Sequence, residues 1–175
     1  MLFRSIDLAK GDLFPTFYNY GTLYLFLANI AGNAAQAYSG DLKEVWQVLG
    51  VQIMAGRWIT MLAGAALGVM VYAYALRFMR ATGAVFAALA IVVAPGLVVH
   101  GRFQTVDVLA ATLAFASLFA AGMALPTERG KQWTVGKAAL WAGVFAGLSA
   151  GAKYSGIVSL IGLAPVLWVS AITTR

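Results

Sequence analysis

Cysteine is absent from this chain, which excludes a disulfide scaffold, thiol chemistry and a cysteine-based metal site while leaving the compartment open. Charge is scarce as well. Only 10% of residues are charged against 62% hydrophobic, and the mean hydropathy is +0.84, values outside the range of soluble globular domains. The composition is that of an integral membrane protein. Its 175 residues must then be counted in spans of about 20 apolar residues, which allows roughly five. The net charge of +6 raises nucleic acid as a partner, but the basic residues fall in short clusters between apolar runs, as topology signals do. No nucleic-acid partner is expected.

The apolar runs set the spans. Residues 58–76 carry no charge between Arg57 and Arg77, which fits one membrane helix. Residues 83–99 make a second, in which Pro95 is expected to kink the outer turn without breaking the span. Residues 108–125 make a third. From 138 to 172 the chain stays apolar for about 35 residues, too long for one crossing of a roughly 30 Å core at 1.5 Å per residue. Lys153 sits near the middle of that run, so a hairpin of two short spans turning near residues 152–156 is expected. The fold class is therefore all-α: a polytopic helical membrane protein with about five transmembrane helices. Gly64 and Gly68, and Gly143, Gly147 and Gly151, have the spacing of small-residue ridges and are expected to be packing seams within the chain.

Basic residues in short loops orient the bundle. Arg77 with Arg80, then Arg129, Lys131 and Lys137, and finally Arg175 fall on one side, which is expected to be cytoplasmic. The outer side receives Asp7, Asp12, Asp41, Glu44 and Asp107, five of the six acidic residues, together with Arg57, His100, Arg102 and Lys153. Residues 1–56 form an outer-face loop and residues 57–175 the transmembrane bundle. Within the loop, Phe17, Tyr20, Tyr24, Leu27, Ala28 and Ala31 recur at helical spacing opposite Asn19, Thr22, Asn29 and Asn33, which suits a helix along the outer interface. A signal peptide is an alternative, although Asp7 and Asp12 spoil its basic leader. An ordinary span over residues 16–37 is another, and it would invert the first loop.

The stretch VVHGRFQTVDVLAA, residues 98–111, places His100, Arg102 and Asp107 between apolar runs. Ionisable residues at membrane depth are costly and usually face a cavity or one another. The plainer account makes Asp107 a helix N-terminal charge, His100 and Arg102 interfacial anchors, and Lys153 a snorkelling side chain. The functional account gathers Arg57, His100, Arg102 and Lys153 at one outer vestibule. Such a set suits a phosphate or pyrophosphate, for which arginine supplies a planar fork of donors and lysine a point charge.

Three elements carry a family resemblance: GDLFPTFYNYGTLYLFLANIAG, a glycine and proline before an aromatic helix; AGRW, an arginine opening a span; and APGLVVHGRFQTVD, with proline, arginine and aspartate in order. Over residues 11–163 the chain resembles the N-terminal part of the polytopic C-type glycosyltransferases, the protein O-mannosyltransferase and aminoarabinose transferase relatives. The resemblance implies sugar transfer from a polyprenyl-phosphate donor to a hydroxyl of an acceptor protein or glycolipid, with inversion, in a bacterial inner (plasma) membrane and on its outer face. Such chemistry needs a carboxylate to take the acceptor proton, and cations or a metal ion for the departing phosphate. Asp107 matches the family's second outer-loop aspartate. It is the catalytic candidate, supporting the donor phosphate or a divalent metal ion, the one cofactor implied. Arg57 matches the family's outer arginine, and His100, Arg102 and Lys153 complete the phosphate-binding set. The family's base is an aspartate of the first outer loop, which neither Asp7 nor Asp12 matches. This chain is therefore expected to be an incomplete piece, inactive alone. Tyr20-Gly21 stands where relatives often show two prolines. The rival class is a small non-catalytic membrane protein, transporter-like or an assembly partner, whose outer cations bind anionic lipid headgroups.

Overall fold

The computed structural model describes residues 22–39, 45–127 and 132–161, and positions 163, 164, 168 and 172. The expectations for Asp7, Asp12, Asp41, Glu44, Arg129, Lys131 and Arg175, and for residues 17–21, lie outside the described residues. Among the described residues the regular structure is helical, without strands.

Among the described residues six α-helices follow one another: α1 Thr22–Ser39, α2 Val45–Ala75, α3 Ala81–Val92, α4 Pro95–Gly101, α5 Val106–Gly122 and α6 Val135–Ala152, with a 3₁₀ turn at Tyr154–Val158. The long α2 contains no proline, and alanine is its commonest residue, the one that loses least on entering a helix. Its 31 residues extend about 46 Å, more than the hydrocarbon thickness. The part after Arg57 corresponds to the expected span, and the part before it continues beyond and packs against α1.

By length and apolarity α2 and α6 can each cross a membrane, and α3 with α4 forms a third candidate if that bent pair is one span. The pair is bent by 54°. Pro95 therefore does more than kink the outer turn. It occupies the first turn of α4, where its missing N–H and fixed φ cost nothing, and α3 has already ended at Val92. The shorter α5 runs parallel to α2, as two contacts show. Thr60 reaches the Thr105 carbonyl at 3.4 Å, and the Tyr74 ring packs against Phe119 with 5.6 Å between centroids. The α5 helix therefore covers the same depth as α2 between those levels.

Packing is closest between α5 and α6, and it is built from alanines. Ala120 and Ala121 of α5 meet Ala142 and Ala146 of α6, with Leu163 alongside. Small residues let the backbones approach closely enough for side chains to bond across, as at other membrane helix seams. The Ser117 hydroxyl donates to the Ala142 carbonyl at 2.7 Å, and Ser149 donates to Ala110 at 2.9 Å. The glycine ridge expected on α6 is not this seam. Gly143 and Gly147 face open space, and only Gly151 has a neighbour, Leu23 of α1. The buried stripe is Ala138, Ala142, Ala146, Ser149 and Ala152, displaced by one residue from the glycines and so turned about 100° around the helix. On α2 the glycines do pack inward, Gly64 against Leu97 and Val108, and Gly68 against Val92.

The bundle has two polar ends. Arg77 donates to the Leu125 carbonyl at 3.3 Å, and Thr127 donates to the Arg77 carbonyl at 2.8 Å. That end also carries Arg80 and Lys137, whose ammonium lies 4.7 Å from the Trp133 ring centroid. Between the ends the exposed surface is apolar, including Leu62, Val69, Phe86, Leu89 and Leu140, as hydrocarbon-facing helices require.

Candidate functional site

The other end collects the chemistry, and helix register explains how. From the Ser117–Ala142 bond to the Ala110–Ser149 bond the contacts move two helical turns back along α5 and two turns forward along α6. One further turn in the same sense reaches Asp107, in the first turn of α5, and Lys153, the residue that ends α6. Lys153 has left the helix for extended backbone, φ −150° and ψ 133°, which turns its side chain away from the course of α6. Its ammonium is bonded to the Asp107 carboxylate. Both side chains are about a third exposed, 35% and 38%, so the pair is open to solvent or ligand.

Asp107 and His100 line one cavity of about 220 Å³, whose remaining walls are apolar and include Leu67, Ile91, Leu97 and Val108. Leu97 is also a wall of a second recess, of about 340 Å³, and Arg102 lines that one. Arg57 is exposed on α2. The four cations expected at one vestibule are therefore all at this end, but they are sorted. Lys153 and His100 accompany Asp107, Arg102 lies beyond Leu97, and Arg57 lines neither recess. The sorting comes from α4, a two-turn helix that puts Leu97 between His100 and Arg102.

A buried polar clamp holds this end together, and the sequence reading did not single it out. The Tyr24 hydroxyl donates to the Gly56 carbonyl at 2.8 Å and lies 3.0 Å from the Thr60 hydroxyl. Thr60 has the Gly56 and Thr105 carbonyls within 3.0 and 3.4 Å, and the Thr105 hydroxyl donates to the His100 carbonyl at 3.4 Å. Tyr24 and Thr60 are fully buried. Burial pushes the Tyr24 phenol above its ordinary pKa of 10.0, and the Thr60 hydrogen bond acts the other way, so the phenol stays a neutral donor. The clamp ties α1 and α2 to the turn that carries His100, Arg102 and Asp107. Gly56 matters for the same turn, because a Cβ there would stand 2.6 Å from the Gln104 side chain. The one sequence signal for Tyr24 was its place on the apolar face of a helix, which marks burial and not a partner.

A metal ion at Asp107 would find one carboxylate already bonded to Lys153. Among the described residues no group of three or more histidine, aspartate or glutamate side chains could hold a metal. A metal at Asp107 would require ligands from outside the described residues.

The recess at this end of the helical bundle is apolar, with His100 and Asp107 the two ionisable residues that line it. Residues 42–175 match the dolichyl-phosphate-mannose-protein mannosyltransferase family. The match covers more than half of the chain, including Arg57, His100, Arg102, Asp107 and Lys153, and the chain belongs to that family. It is a membrane glycosyltransferase family of the mannosyltransferase type. No curated protein and no solved structure matches the chain.

Proposed function

We propose that the protein transfers a sugar from a polyprenyl-phosphate-linked donor to a hydroxyl of an acceptor protein or glycolipid at the outer face of the membrane. The observation that carries this reading is the cavity between α2, α3, α4 and α5. Its apolar walls are those an isoprenoid chain would lie against, and His100 and Asp107 are among its lining residues, with Lys153 bonded to Asp107. In the reaction the acceptor oxygen forms a bond to the anomeric carbon. The bond from that carbon to the phosphate oxygen breaks, its electrons leave with the polyprenyl phosphate, and a carboxylate takes the acceptor proton.

Charge on the departing phosphate is what the site must stabilise. An ammonium has three N–H donors. Asp107 engages one, which holds Lys153 beside Asp107 and leaves two for phosphate oxygens. The carboxylate thus acts as a positioning group for the lysine, and the pairing also offsets the repulsion a bare carboxylate would exert on the donor. His100 supplies a further donor from the same wall. Arg57 and Arg102, exposed at this end, add positive potential that draws an anionic headgroup.

The test is sugar transfer from polyprenyl-phosphate mannose in membranes by the longest in-frame product that carries this chain, with and without Asp107→Asn at equal protein levels. Loss of transfer in the variant supports the reading. Transfer indifferent to Asp107 reduces the pair to a helix-end charge with anchors, and no transfer by the unsubstituted protein moves the assignment to a non-catalytic protein that binds lipid headgroups.

A further inference from the structure

Apart from the positive potential that Arg102 contributes, the second recess has no part in the proposed reaction. Met61 and Ala65 of α2, Val92 of α3 and Val98 of α4 wall it, Gly64 lies on its floor, and Arg102 stands at its polar end. It is open rather than enclosed by neighbours: Met61, Val92 and Val98 are among the exposed large hydrophobic side chains. Arg102 is exposed too, and among the described residues it has no ion-pair partner. Arg57, exposed one helical turn from Met61 on α2, adds positive potential at this end without lining the recess. From Thr60 to Ala65 the groove follows α2 away from the polar end into the depth where the bundle surface is apolar.

A soluble anion would satisfy Arg102 but gain nothing from the walls, and an apolar partner would leave the guanidinium without a counter-charge. A molecule with both an anionic head and a hydrocarbon tail satisfies both, and it arrives from the membrane side on which the groove opens. We infer that this groove holds one anionic lipid of the surrounding bilayer, with its phosphate on the Arg102 guanidinium and an acyl chain along Met61, Ala65, Val92 and Val98. Leu97 is the partition between the two recesses, so the lipid braces the wall of the neighbouring cavity from behind.

Native mass spectrometry of the chain from micelles containing equal phosphatidylglycerol and phosphatidylcholine tests this without reference to sugar transfer. One phosphatidylglycerol is expected to be retained in preference to phosphatidylcholine. Arg102→Gln should lower that retention by about tenfold, the loss of one charge-assisted contact. Ala65→Trp, an exposed position that a bulky ring would fill, should abolish retention with Arg102 intact. Millimolar inorganic phosphate should not displace the lipid, because the tail is part of the recognition. Equal retention of both lipids, or retention unchanged in both variants, overturns the inference. So does displacement by inorganic phosphate, or a dimer that Ala65→Trp converts to monomer, which would make a second copy of the chain the occupant.

Discussion

Replacing Lys153 by glutamine separates what the lysine does for the fold from what it does for a bound phosphate. In the resting protein its partner is Asp107, and both side chains are about a third exposed. Water screens such a pair, which limits its contribution to about 0.2–1 kcal/mol. Glutamine retains an N–H that can donate to the Asp107 carboxylate, so the loss lies toward the lower figure. A phosphate on the ammonium is worth more, because a charged hydrogen bond contributes about 1.5–3 kcal/mol. At about 1.4 kcal/mol per factor of ten, this predicts a drop of roughly 10- to 150-fold in kcat/KM. The assay pairs sugar transfer from polyprenyl-phosphate mannose, normalised to folded protein, with thermal unfolding in detergent. The expected result is a transfer rate reduced by at least tenfold with an unfolding midpoint lowered by no more than about 2–4 °C. Lys153→Arg, which keeps the charge but changes the donor geometry, should recover part of the rate. Unchanged transfer would refute the phosphate role. A midpoint collapse that accounts for the lost activity would show instead that Lys153 is a structural tie between α5 and α6.

Further expectations concern the frame of the site. Tyr24→Phe removes the hydroxyl bonded to Gly56 and Thr60 while leaving Thr60 its own carbonyl acceptor, so it should cost about 1 kcal/mol. Proteolysis should find α1 more accessible in that variant, and a cost indistinguishable from zero would mean that the clamp does not hold α1. Gly143→Ala and Gly147→Ala place a methyl in open space and should leave stability unchanged or raise it by about 0.5–1 kcal/mol each. Destabilisation by either, read in the same unfolding assay, would show that those glycines do face a packed partner. Gly156→Ala goes the other way. Its Cβ would run into the Ser149 backbone, and a loss of about 1–3 kcal/mol is expected from overpacking.

Much of this architecture was legible because bilayers impose one-dimensional rules. A run of apolar residues bounded by arginines, as at residues 58–76, can be little other than a membrane helix, since unpaired backbone in hydrocarbon is prohibitive. The turn near residues 152–156 was legible for a similar reason: thickness limits a span, and Lys153 is expensive inside one. The glycine ridge on α6 misled because spacing fixes which residues share a face and leaves open which face is buried. Alanines at the adjacent register met the partner helix instead. At Pro95 the sequence marked the place of disruption but not its size, which depends on whether neighbouring helices support the freed carbonyls.

The candidate site divides in the same way. Sequence alone determined that Asp107 and Lys153 stand at the same end of the bundle, because alternating crossings carry every second helix boundary to one side. It also determined that Arg57, His100 and Arg102 belong to that end. Only the tertiary structure decided that Lys153 pairs with Asp107, which required the antiparallel α5–α6 register set by Ser117 and Ser149. It likewise decided that His100 and Arg102 face different recesses, and that Tyr24 reaches across to Thr60. Sequence periodicity fixes the end of a helix at which a charge falls, but the azimuth and register that choose its neighbour arise from packing between helices.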